Sequence, residues 1–76
     1  MIAERSDTKT VFKLYDVVRL VKDVPGTPLR AGQTGTIVER LADGAFEVEF
    51  VDAFGCAIDS RGFHASELLP AEKPHL

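Results

Sequence analysis

Across its middle the chain reads Gly35-Thr36-Ile37-Val38-Glu39-Arg40-Leu41-Ala42-Asp43-Gly44-Ala45-Phe46-Glu47-Val48-Glu49-Phe50-Val51. Phe46 to Val51 alternates apolar and acidic residues with a period of two, the pattern of a strand with one buried and one wet face. Gly35 to Arg40 is rich in β-branched residues and reads as the strand before it. Asp43-Gly44 between them favours a two-residue type I′ turn, whose two central residues both take positive φ. That register sets Leu41 opposite Phe46, Arg40 opposite Glu47 and Ile37 opposite Phe50. It also sets Glu39 opposite Val48 on the inner face, a misfit unless the carboxylate reaches water at the rim.

Outward from this hairpin the signals are shorter. Tyr15 to Lys22 predicts a strand, halted by Asp23-Val24-Pro25-Gly26. Pro25, Gly26, Pro28 and Gly32 then mark a long, partly rigid loop, because neither a helix nor a central strand accommodates them. After the hairpin, Asp52 to Gly55 is a turn and Ala57 to Phe63 a weaker strand. Ser66-Glu67-Leu68-Leu69-Pro70 predicts a short 3₁₀ turn closed by proline. No segment supports a long helix. Four or five short strands in so few residues predict an all-β fold, a small antiparallel barrel, since a flat sheet of this size leaves its edges and one face uncovered. Val18, Leu20, Ile37, Val48, Phe50, Ile58 and Leu68 are the expected core. Residues 1–11 and 71–76 read as flexible arms around a domain at 12–70, being polar and without period.

Composition bounds the function. The 76 residues (8.3 kDa, 45% hydrophobic) hold twelve acids, nine Lys and Arg and one cysteine. Scaling rules bury only about 60% of the unfolded surface of so short a chain, so one small domain of modest stability is expected. The net charge of -3 opposes a phosphate backbone, and counterion release needs clustered cations. Lone Cys56 cannot close an internal disulfide, which points to a reducing cytoplasm. No apolar run reaches the roughly 20 residues that span a bilayer.

Tyr15-Asp16-Val17-Val18-Arg19-Leu20, the Asp23-Val24-Pro25 turn, the Gly-x-x-Gly-x-x-Val step from Gly32 to Val38, Phe46 to Phe50, and the ending Ala65-Ser66-Glu67-Leu68 together resemble a family of small bacterial SH3-like barrels. That family is catalogued as domain of unknown function 4926, and the resemblance covers roughly Phe12 to Pro70. It implies an SH3-like barrel and no reaction, since the family has no established catalytic residue. Ile58-Asp59-Ser60-Arg61-Gly62-Phe63 departs from its mainly apolar fourth strand, which suggests a bulged, short or exposed segment.

Chemistry-bearing residues are sparse. Cys56, Asp59, His64 and Glu67 lie close in sequence but match no zinc spacing, and a thiol nucleophile would need an oriented base and an oxyanion site. Glu47 and Glu49 share one strand face, where both meet water instead of forming an acid and base pair. Gly32 and Gly35 are not followed by Gly-Lys-Ser/Thr or a helix, so turn geometry and close backbone approach explain them better than phosphate binding. Arg19, Lys22, Arg30 and Arg40 are interleaved with acids and form no basic stripe. With one Tyr and no Trp, the aromatic groove of a proline-rich peptide receptor is not expected.

An interaction face remains. Val17, Val21, Val38, Val51, Phe54 and Phe63 fall at positions that alternation assigns outward or to turns. The expectation is therefore a cytoplasmic, non-catalytic protein-binding or self-assembly module without metal or other cofactor, able to form a homo-oligomer. Its contact residues are read as Val17, Val21, Phe54, Arg61 and Phe63. The alternative is a nucleic-acid or ribonucleoprotein accessory, and a noncatalytic subunit of a larger enzyme comes third.

Overall fold

A computed structural model describes residues 12–71. Five strands, β1 (Val17–Leu20), β2 (Thr34–Arg40), β3 (Ala45–Val51), β4 (Ala57–His64) and β5 (Leu68–Pro70), form one antiparallel sheet in the order β4-β3-β2-β1-β5. Two single turns of 3₁₀ helix, η1 (Ala42–Gly44) and η2 (Ala65–Glu67), join β2 to β3 and β4 to β5. The all-β class and strand count agree with the sequence reading; β4 and β5 lie at opposite ends of the order, and among the described residues no ladder joins them.

Phe12, Val18, Leu20, Leu29, Ile37, Phe46, Val48, Phe50, Phe63 and Leu68 form the core. Burying a large apolar side chain contributes roughly 1.5–3 kcal/mol relative to leaving it exposed. Phe12 lies edge-on to Phe46, and Phe50 edge-on to Phe63, with ring centroids 5.6 and 5.9 Å apart. The expected arms at 1–11 and 72–76 lie outside the described residues. Ala71, expected in the tail, donates its N–H to the Val17 carbonyl.

The β1–β2 loop is held by its own side chains. Thr27 Oγ1 donates to the Val24 carbonyl and accepts from Leu29 N–H, Asp23 Oδ1 accepts from Ala31 N–H, and Gln33 Oε1 accepts from Arg30 N–H. These bonds drive Leu29 into the core, which the sequence reading missed because Leu29 lacks periodic neighbours. Gly32 takes φ +85 in this loop, while Gly35 presses against the side chains of Val48 and Phe50. Turn geometry and close approach thus account for one glycine each.

Two register shifts correct the sequence reading. Asp43 and Gly44 do take positive φ (61° and 75°), and Ala45 N–H donates to the Ala42 carbonyl, as a type I′ turn requires. Leu41 N–H nevertheless bonds the Ala45 carbonyl, so the pairs become Arg40↔Phe46, Glu39↔Glu47 and, past a bulge at Val38, Ile37↔Val48. The bulge keeps Ile37 inward while moving Glu39 to the outer face, which removes the anticipated burial of its carboxylate. At the other end of β3 the pairing passes from Phe50↔Asp59 to Val51↔Ala57 and leaves Ile58 as the extra residue. Parity on β4 is therefore the reverse of that expected. Ile58 leaves the core and is 36% exposed, and Phe63 enters it. Strand β1 is also shorter than the predicted Tyr15 to Lys22, because Tyr15 adopts φ +72 and starts the chain on a turn.

Candidate interaction surface

The β3–β4 hairpin ends in a turn organised by one side chain. Asp52 Oδ1 accepts N–H bonds from Phe54 (2.8 Å) and Cys56 (3.0 Å). The Asp52 N–H donates to the Cys56 carbonyl, and Gly55 N–H donates to the Asp52 carbonyl. Asp is suited to this place because its short carboxylate mimics a turn of backbone. Held this way, Phe54 projects with 90% of its surface in water. Cys56 beside it is a free, exposed thiol, and Val51 and Ile58 at the hairpin's base are also partly exposed.

Four of the five expected contact residues lie at the surface. Val17 is half-exposed on the outer face opposite Thr36. With Thr34, Gly35, Thr36, Glu49 and Val51 it lines a shallow depression of about 120 Å³. Val21 follows β1, exposed, with its N–H bonded to the Glu67 carbonyl. Phe54 is the hairpin tip. Arg61 lies on the edge strand β4, where its guanidinium meets Asp59 Oδ2 through Nε at 3.0 Å and Nη2 at 2.9 Å. Phe63 is a correction: it is 5% exposed and packs on Phe50. The bulge at Ile58 turns it inward opposite Phe46, so it is core and presents no contact.

The structure thus joins Val17 to Val51 in one depression and leaves Val21, Phe54 and Arg61 as separate features. Sequence reasoning missed Tyr15, 73% exposed and held in the left-handed region, which a bulky residue seldom adopts. No glycine or asparagine stands there to signal it.

The other chemistry-bearing groups are engaged locally. Glu67 Oε1 accepts from His64 N–H, the His64 ring lies 3.4 Å from Ser66 Oγ, and Ser60 Oγ donates to Glu47 Oε2. Among the described residues, no three His, Cys, Asp or Glu side chains converge as metal ligands, and no helix is long and apolar enough to cross a membrane. No curated protein and no solved structure matches the chain. The model of the family described as Domain of unknown function (DUF4926) matches residues 14–70, which takes in all five strands, both 3₁₀ turns and the hairpin tip, and the chain belongs to that family.

Proposed function

We propose that the chain is a small, non-catalytic protein-binding module of the cytoplasm that engages its partner through the β3–β4 hairpin. The observation that carries this reading is Phe54, a large aromatic side chain displayed in water on a turn already fixed by Asp52. An unpartnered Phe on a floppy loop would lose much of its contact energy to ordering, whereas a fixed one retains it. Aromatic anchors of this kind dominate contacts by filling a pocket on the other protein. Val51 and Ile58 supply an apolar fringe, and Asp52 and Glu49 a polar rim. The free thiol of Cys56 suits a reducing compartment.

The test compares the wild-type chain with Phe54→Ser as immobilised bait in an extract of the native host. Expected is a defined protein retained by the wild type and bound about 30-fold more weakly by the variant, with an unchanged unfolding midpoint because the side chain is 90% exposed. Retention indifferent to the substitution, or no specific retention at all, overturns the reading.

A further inference from the structure

Among the described residues, strand β4 is the long unpaired edge of the sheet. The opposite edge, β5, has three residues and ends in Pro70, which has no N–H to offer. Along β4 the Ser60 N–H is accepted by Asp59 Oδ1 and the His64 N–H by Glu67 Oε1, so the even-numbered backbone groups point away from β3. Gly62, between them, follows the same alternation. Facing the core side, the odd-numbered residues run Asp59, Arg61, Phe63, and the first two are ion-paired with side chains 27% and 42% exposed. They remain on this side of the sheet because β4 lies at its margin, where both heads reach water.

We propose that β4 pairs antiparallel with β4 of a second copy about a two-fold axis through Ser60. The segment Asp59-Ser60-Arg61 is its own charge complement under that symmetry. With Ser60 opposite Ser60, each Asp59 faces the other copy's Arg61, and each Arg61 faces the other copy's Asp59. Ile58 covers Gly62 across the junction on the outer face. A two-fold axis through Asp59 or Arg61 would oppose like charges, and a shift by one residue would put the two charge pairs on different faces. In the isolated chain Asp59 shields the Ser60 N–H. On pairing, the other copy's Ser60 carbonyl takes that N–H and the carboxylate turns to the facing guanidinium, so only a strand with a cation at the mirrored place compensates it. An isologous contact of this kind closes at two copies. It shares only Ile58 with the hairpin surface and does not use Phe54, so Phe54→Ser leaves it intact and the failure of either proposal is visible without the other.

Light scattering and sedimentation across about 10 µM to 1 mM, which reads dissociation constants in that span, test it on the full chain. The wild type is expected to rise towards twice the 8.3 kDa chain mass. Asp59→Arg and Arg61→Asp each convert two attractive pairs into two repulsive ones and weaken self-association roughly 30-fold. An equimolar mixture of the two variants restores every opposite-charge pair and is expected to associate like the wild type. The double exchange Asp59→Arg/Arg61→Asp restores them within one chain and does the same, which separates lost pairing from lost folding. A wild type that stays monomeric, single variants that associate like the wild type, or a mixture and a double exchange no tighter than the single variants would each overturn the proposal.

Discussion

Gly32 and Gly35 stand three residues apart in one motif, and the structure assigns them opposite reasons for being glycine. A Cβ built on Gly35 would lie 2.7 Å from Val48 Cγ1 and 2.7 and 2.8 Å from Phe50 Cε1 and Cδ1. Both neighbours are fully buried at the centre of the sheet, so neither can swing aside into solvent. Overpacking of this kind costs about 1–3 kcal/mol, and the upper end applies because two rigid neighbours are struck at once. At Gly32 a Cβ would meet nothing within 4 Å, but φ is +85. Alanine there carries only the left-handed penalty of about 1–2 kcal/mol, and asparagine, which tolerates that region, carries less. In a domain of this size 1 kcal/mol moves the midpoint by roughly 4–8 °C. Thermal unfolding followed by circular dichroism should therefore show Gly35→Ala melting below Gly32→Ala. Gly32→Asn should lie nearest the wild type, with Gly35→Asn worse than Gly35→Ala. If Gly35→Ala melted within a few degrees of wild type, or if asparagine were tolerated equally at both positions, the packing of β2 on Val48 and Phe50 described above would be wrong.

Phe63→Ala should destabilise by about 3–5 kcal/mol, most of the margin of a small domain, and urea unfolding should show a much lower midpoint; a shift under about 0.5 kcal/mol would return Phe63 to the surface. Asp52→Ala removes the acceptor of two exposed N–H groups that water can then serve, so global stability should fall by only about 1 kcal/mol. Hydrogen exchange should quicken selectively at Phe54 and Cys56, and unchanged protection there would mean that Asp52 does not order the tip.

What the sequence shows of the fold is set by how far each signal reaches. The alternation of Phe46 to Val51 states which side of β3 is wet without reference to any other strand, and the structure agrees at every residue from Phe46 to Phe50. Asp43-Gly44 states a turn geometry, and both residues adopt it. Register is another matter, because one further hydrogen bond, Leu41 N–H to the Ala45 carbonyl, displaces every pair beyond the turn. The bulge at Val38 then displaces them again. Neither event leaves a mark in residue type. Its cause is the energy of keeping Ile37 in and Glu39 out, which depends on β3 being there.

The same reasoning explains why the contact residues were only partly legible. Phe54 and Phe63 are alike as sequence features, each an aromatic beside a glycine. Phe54 sits inside an Asx turn, where no strand neighbour exists to cover it, so its exposure follows from local chemistry alone. The fate of Phe63 depends on whether β4 runs in or out of step with β3. The odd residue Ile58 reverses that step, exchanging a buried isoleucine for a buried phenylalanine and carrying Asp59 and Arg61 to the inner side. Burying the larger apolar side chain opposite Phe46 favours this phase, and the charged pair tolerates it because β4 is an edge. The feature that made β4 look unlike a good strand, an Asp and an Arg two residues apart, is thus the consequence of its place at the margin. A central strand bearing those residues on its inner side would have to bury both charges.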